Sequence, residues 1–205
     1  MFNPVISEIY VEESEQPPML VDLEKTGDLF LNRKFTRQFR LRREVYQRIK
    51  DAQRHLPRGY RFMIYEAFRP RRRQFELWTQ VMAQVRAEQN GKSEHSYTTL
   101  AEKFVANPHG IGSGHQAGAA VDITLCTAEG REIFMGTEIQ QFNAKTRTAC
   151  AKLSADIIGL RHLLCDALEV QGVMNDPSIW WHFSYGDRLW AEVTGRSHAF
   201  YAPID

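Results

Sequence analysis

Residues 113–125 read SGHQAGAAVDITL. Two side chains here, His115 and Asp122, can ligate a metal, and only small or apolar residues and Gln116 lie between them. Imidazole and carboxylate are both good zinc ligands, and a catalytic zinc commonly takes three protein ligands and a water. In a strand, Asp122 and Thr124 would share one face while Val121 and Ile123 point to the core. A carboxylate between β-branched neighbours needs a partner; a metal is one solution and ordinary hydrogen bonding another. His115 lies an odd number of residues from Asp122, so a straight strand cannot put both on one face. A bend at Gly118 would, because glycine adopts conformations closed to other residues. A third ligand must come from elsewhere. His182, in Trp180-Trp181-His182-Phe183, is the first candidate, on a face with Trp180 and Ser184 if the segment alternates. His109, in a Pro-Gly loop, is a rival, while His55, His95, His162 and His198 read as surface residues.

The elements that must position these groups follow from periodicity. A strand is expected near Ile9–Val11 and a break at Pro17-Pro18. Leu41, Val45, Ile49, Ala52 and Leu56 recur at helical spacing, and the helix should stop before Pro57 and Gly59. Residues 60–65, YRFMIY, read as a strand. Phe75, Trp78, Met82 and Val85 mark a second helix ending near Asn90-Gly91, and 91–112 a loop or a short helix between loops. Residues 119–125 read as a strand. Ala149, Leu153, Ile157, Leu160, Leu164 and Ala167 mark a third long helix ending before Gly172. Residues 180–185 and 189–193 read as two late strands joined by a turn at Gly186-Asp187. The sum is an α+β chain, an antiparallel sheet flanked by helices, taken as one domain over residues 1–205.

Bulk composition removes several classes. With 205 residues, 43% hydrophobic and 25% charged, the chain can bury a substantial core. A formal net charge of +1 gives no overall pull toward nucleic acid or anionic membrane, so neither is expected as a partner. There is no Gly-rich phosphate loop after a strand. Cys126, Cys150 and Cys165 are odd in number and widely spaced, which points to buried small hydrophobes rather than a disulfide framework. No secretory signal or long apolar run is present, so a cytoplasmic address is expected. Composition sets no oligomeric state.

Taken together, the motifs resemble a known family. Ser113-Gly-His115-Gln-Ala-Gly118-Ala-Ala120-Val-Asp122 is similar to the SxHxxGxAxD signature of zinc D,D-peptidases. The continuation Ile123-Thr124-Leu125, with Phe68-Arg69-Pro70, Met135-Gly136-Thr137 and Trp180-Trp181-His182-Phe183, narrows the resemblance to the D-alanyl-D-alanine dipeptidases, including the vancomycin-resistance type. It runs from about residue 20 to 195. It implies one zinc per chain, held by His115, Asp122 and His182, and a small D-amino-acid dipeptide as substrate. It implies that Arg69 stabilises the oxyanion of the tetrahedral intermediate, a role suited to a permanently charged guanidinium. Ser113 would help shape the substrate pocket. The implied fold is the α+β zinc D,D-peptidase fold.

Two positions depart from the family pattern. The late motif normally reads Glu-x-x-His, the glutamate serving as general base; here that position is Ile179, which cannot carry a proton. The family commonly follows Met-Gly-Thr with x-Phe-Asp, where this chain has Glu138-Ile139-Gln140, an amide in place of a carboxylate that could meet the substrate ammonium. Zinc alone brings a bound water toward a pKa of ~7, and general acid–base catalysis is worth about 10²–10⁴-fold, so loss of the base should impair hydrolysis rather than erase it. Glu66, Glu138 and Asp176 are the carboxylates that could substitute. Three readings follow: a zinc dipeptidase with impaired or altered activity, a zinc-holding homologue that binds a peptide or cell-wall fragment without cutting it, and a peptidase of longer peptidoglycan stems. The paired tryptophans favour the dipeptidase group over the last.

Overall fold

The computed structural model describes residues 4–13 and 18–204, so the expected break at Pro17-Pro18 falls partly outside the described residues. Two short strands, β1 (Tyr10–Val11) and β2 (Leu20–Asp22), precede β3 (Phe30–Leu31) and β4 (Arg40–Arg42). Then come α1 (Arg43–Ala52), β5 (Tyr60–Glu66), α2 (Arg71–Glu88) and α3 (Glu94–Ala101). The second half holds β6 (Ala120–Thr127), α4 (Ala155–Glu169), β7 (Met174–Asp176), β8 (Ile179–Ser184), α5 (Arg188–Val193) and β9 (His198–Ala199).

The central sheet runs β3-β5-β6-β8-β7. Its pairs are antiparallel except at one edge, where β3 lies parallel to β5. The expected antiparallel sheet is therefore present with one parallel edge pair. β1 pairs with β9 and β2 with β4 in two smaller sheets. The middle strand β6 is buried on both faces from Ala120 to Cys126, with Val121, Ile123 and Leu125 on one face and the polar pair Asp122 and Thr124 on the other.

Helix α1 presents Val45, Ile49 and Ala52 to the core, one apolar stripe at helical spacing. It passes into a 3-10 turn at Gln53–His55, and Leu56 is extended at ψ 139 ahead of Pro57. Helix α4 buries Arg161, Leu164, Ala167 and Leu168 and contacts both α1 and the sheet. Trp180, Trp181, Phe62, Ile64 and Ile123 occupy the main core at 2% exposure or less. Each such side chain is worth roughly 1.5–3 kcal/mol relative to exposure. A second apolar cluster lies between α2 and α3, around Val81, Met82, Val85, Tyr97 and Ala101.

Three expectations are corrected. Residues 189–193 form helix α5, not a strand: the Asp187 side chain accepts the Trp190 N–H as an N-cap, and a cap of that kind starts a helix whatever the β-propensity of Leu, Trp and Val. The late hairpin is therefore absent, and Gly186-Asp187 leads from strand to helix. Leu41 belongs to β4 rather than to the helix after it. Helix α4 begins at Ala155, after Ser154 caps it through the Ile157 N–H, so Ala149 and Leu153 lie in the turns before it. The three cysteines are free, with Cys126 and Cys150 buried. Among the described residues no helix is long and apolar enough to cross a membrane.

Candidate metal centre and active site

The register of three strands assembles the site. Glu66 on β5 lies opposite Asp122 on β6, and Asp122 lies opposite His182 on β8. Directly paired residues project from the same side of a sheet, so Glu66, Asp122 and His182 form one row across it.

His115 reaches this row by a turn. The Ala119 N–H bonds to Gly114 O at 2.9 Å and the Gly118 N–H to His115 O at 3.1 Å. This is the Schellman pattern, which needs a left-handed residue at its end, and Gly118 supplies φ +65°. A Cβ there would also meet Leu20 Cδ2 at 2.9 Å. The bend expected at Gly118 is thus present, and it carries the chain from His115 into β6.

A reciprocal clasp then fixes the imidazole. His115 Nδ1 lies 2.8 Å from Ala67 O, and the Arg69 N–H donates to His115 O at 3.0 Å. A carbonyl only accepts, so the ring proton sits on Nδ1 and the Nε2 lone pair is the free one. That Nε2 faces Asp122 Oδ1 at 3.2 Å. His182 Nδ1 faces the same oxygen at 3.1 Å. A neutral His115 would set a lone pair against a carboxylate oxygen, which is repulsive unless a positive charge lies between them.

The donor set fits a metal. Ligand atoms of His115, Asp122 and His182 all lie within 4.8 Å of one another, and the two shortest separations are 3.1 and 3.2 Å. Bonds of about 2.0–2.1 Å directed to the corners of a tetrahedron give edges of roughly 3.3 Å. Asp122 and His115 are buried and His182 nearly so, so the ligands are held rigidly. Burial pushes the Asp122 carboxyl up, but His115 and His182 outweigh it and hold it well below the usual range. Burial pulls His182 down, while its bond to Asp122 more than compensates and raises it. His109 takes no part: it is exposed and stacks edge-on to Phe75.

Arg69 lies beside the row, 6% exposed. Its Nε and Nη2 donate to the two Glu66 oxygens at 2.9 and 2.6 Å, and Nη1 donates to Gln74 Oε1 at 2.9 Å. Three of the five guanidinium N–H bonds are thereby used and two remain. Pro70 precedes α2 directly, so Gln74 sits one turn into that helix, facing back to Arg69. Gln74 Oε1 also accepts the Ser113 hydroxyl at 3.3 Å, linking Ser113 to Arg69. Neither Glu66 as the partner of Arg69 nor Gln74 was anticipated. The signal for Gln74 was its position, five residues after Arg69 across a proline helix start.

One cleft is lined by Arg69, Ser113, His115, Asp122 and His182 together, and also by Gln140, Asp176, Ile179 and Asp187. Ile179 brings an apolar side chain to the wall. Gln140 has φ +63° and donates its amide to Glu66 Oε2 at 3.0 Å. The loop bearing Gln140 is pinned by buried Arg161, which donates to Met135 O at 2.9 Å and Arg147 O at 2.7 Å. Burial pushes the Arg161 guanidinium down to about 10. Thr137 accepts the Trp180 indole N–H at 2.8 Å, tying Met135-Gly136-Thr137 to the tryptophan pair. Phe142 packs on Trp181 and Phe104 on Phe142, forming an aromatic side of the cleft.

Behind His182, the pairing of β7 with β8 skips between Asn175 and Asp176. Asn175 fills the break. Its amide donates to Ile179 O at 3.2 Å and His182 O at 3.0 Å, and its oxygen accepts from Thr148 at 2.5 Å. Replacing Asn175 by alanine should strand these carbonyls and lower stability by about 1–3 kcal/mol. At roughly 2–4 °C per kcal/mol for a chain of this length, calorimetry should read a clear fall in Tm; an unchanged Tm would mean that water takes over the bonds.

Asp187 stands on the other side, its Oδ1 accepting both the Ser184 hydroxyl and the Trp190 N–H at 2.8 Å. Its Oδ2 lies so close to Gly114 that a Cβ there would sit 1.9 Å from it. Burial raises the Asp187 carboxyl above its ordinary value. Gly114→Ala should therefore displace Asp187 and loosen the His115 turn, read as weakened metal binding in a protein that still folds.

Comparison with known proteins identifies the family. Residues 30–201 match the model of a peptidase family described as D-ala-D-ala dipeptidase. A D-alanyl-D-alanine dipeptidase of Synechocystis sp. is 34% identical over 95 residues, 41% of this chain. The match spans about 38% of that relative's length. Among solved structures, VanYB in complex with D-alanine-D-alanine is 18% identical over 93% of both chains, with a TM-score of 0.47. A vancomycin-resistance D,D-pentapeptidase VanY in complex with Zn(II) is 20% identical over 95% of this chain and 96% of its own, with a TM-score of 0.41. Since the family model covers most of the length and takes in every residue of the site, the chain belongs to the D-ala-D-ala dipeptidase family.

Proposed function

We propose that this protein is a zinc-dependent D,D-dipeptidase whose substrate is D-alanyl-D-alanine, with His115, Asp122 and His182 as the zinc ligands. The observation that carries the reading is the convergence of His115 Nε2, at 3.2 Å, and His182 Nδ1, at 3.1 Å, on Asp122 Oδ1. Zinc, when bound, supplies the Lewis acidity that amide hydrolysis needs.

The chain's own residues do the rest. The two unused N–H groups of Arg69 would meet the negative charge that builds on the scissile carbonyl oxygen, and such donors act strongly because they are already oriented. Glu66 and Gln74 hold that guanidinium in place. Ser113, tied to Gln74 and close to Gln116, would orient one end of the dipeptide. Gln140 offers the substrate amine an amide rather than a carboxylate, which should weaken binding of a free ammonium. The aromatic side formed by Phe104, Phe142 and Trp181 would exclude water and pack against the methyl groups.

The test pairs metal and turnover. The purified chain should bind one zinc, and the loaded protein should release D-alanine from D-alanyl-D-alanine and leave L-alanyl-L-alanine intact. Zinc binding without release of D-alanine, in this chain and in Ile179→Glu alike, would remove the assigned substrate. A second reading rests on Ile179: an apolar side chain at the wall where the family has its base suits a homologue that binds a peptide or cell-wall fragment and lets it go unchanged. It predicts saturable dipeptide binding by calorimetry with the ligand recovered whole.

A further inference from the structure

The geometry points to Asp176 as the general base of this site, a carboxylate moved to the neighbouring strand to do the work that Ile179 cannot. The inference rests on the hydrolytic reading above.

Placement is the first argument. Asp176 ends β7 and is paired in register with Ile179, which begins β8. It lines the same cleft as Asp122, His182 and Arg69. It is also among the charges that act on His182. A carboxylate lost at position 179 is thus replaced by one on the residue directly across the hairpin.

Rigidity is the second. Only Pro177 and Ser178 separate the pair. The Ser178 N–H donates to Asp176 Oδ1 at 2.8 Å, the Asx-type bond that fixes a tight turn. Pro177 restricts the backbone of Asp176 to extended conformations, and its carbonyl accepts the Thr148 N–H at 3.1 Å. The carboxylate is held at the wall rather than free to swing away.

Elimination is the third. Glu66 has both oxygens on Arg69 and accepts Gln140 as well. Glu138 is exposed and paired with Lys34 at 3.2 Å. Asp187 caps α5 and holds Ser184. Asp122 is the shared partner of both imidazoles. Among the described residues neither Asp187 nor Asp176 forms an ion pair, but Asp187 is buried with two donors on Oδ1 and Gly114 close against Oδ2, whereas Asp176 is half-buried and accepts the Ser178 N–H on Oδ1. It is the cleft carboxylate left for proton transfer.

The step balances without a further reagent. Asp176 accepts a proton from the attacking water as the water oxygen bonds to the scissile carbonyl carbon. The C–N bond then breaks and the same proton passes from Asp176 to the departing amine nitrogen. One dipeptide and one water give two molecules of D-alanine.

The test uses the zinc-loaded full chain and three variants: Asp176→Asn, Ile179→Glu, and the two combined. Asp176→Asn should retain one zinc and its affinity for the dipeptide by calorimetry, while kcat falls about 10²–10⁴-fold. Ile179→Glu in that background should recover most of the loss, because it returns a carboxylate to the same wall. Ile179→Glu alone should raise kcat less than a hundredfold, because a base is already in place. The proposal is overturned if Asp176→Asn keeps wild-type kcat, or if Ile179→Glu alone raises kcat a hundredfold or more. An inactive wild type beside an active Ile179→Glu variant would remove Asp176 and leave the zinc site and substrate standing. Inactivity of all four proteins with zinc bound would remove D-alanyl-D-alanine as the substrate, and the assignment of Asp176 with it.

Discussion

Asp122→Asn is expected to abolish zinc binding while leaving the sheet intact. The substitution keeps the shape of the side chain and removes the charge on which both imidazoles converge, His115 at 3.2 Å and His182 at 3.1 Å. Even partners behind a metal ligand commonly cost 10–100-fold in affinity, so loss of a buried charged ligand should cost at least about 10²-fold. The effect has a second readout that needs no turnover. A ligand at one hundred times its Kd stabilises a protein by about 2.7 kcal/mol, which for a chain of this length is a Tm rise of roughly 5–11 °C. The parent should show that rise with zinc and lose it with a chelator; Asp122→Asn should show none. Equal zinc stoichiometry and an equal Tm rise in both proteins would mean the metal sits elsewhere.

Arg69→Lys is expected to lower kcat by about 10²–10³-fold with zinc content unchanged, the loss typical of one oriented donor to a developing oxyanion. Lysine is the informative change. Arg69 and Glu66 are both buried, and burial, which disfavours the charge on each, is outweighed by their mutual attraction. Removing the cation altogether would strand Glu66 and cost about 3–5 kcal/mol, so Arg69→Ala would confuse misfolding with lost catalysis. Lysine keeps the charge and loses the planar fork that grips both Glu66 oxygens. Steady-state kinetics and zinc analysis on the same preparation check this. A kcat equal to that of the parent would confine Arg69 to holding Glu66.

The bend at Gly118 and the need of Asp122 for a partner were legible from neighbouring residues, but those residues left metal and hydrogen bonding, and His182 and His109, as open alternatives. The set His115, Asp122 and His182 came from the family resemblance, and the structure brings those three side chains together. The role of Glu66 was not legible. Its identity as the partner of Arg69 depends on how β5 ends and α2 begins, and its place in the row depends on strand register. Asn175 was hidden for the same reason: a skip in pairing is invisible until both strands are seen. The segment 189–193 misled because its apolar content outweighed a single capping aspartate two residues earlier. Cap chemistry then decided the element, since the Asp187 bond to Trp190 satisfies a backbone donor that a strand would have paired elsewhere.

The row from Glu66 through Asp122 to His182 ties the candidate metal centre to the assembly of the sheet. Side chains alternate between faces along a strand, so slipping β6 by one position against β5 or β8 would send Asp122 to the opposite face. A sheet that lacks the β6–β8 pairing brings His115 and Asp122 together but not His182. Full-affinity zinc capture during refolding should therefore arrive late, together with that strand pairing, making the ion a reporter of finished architecture.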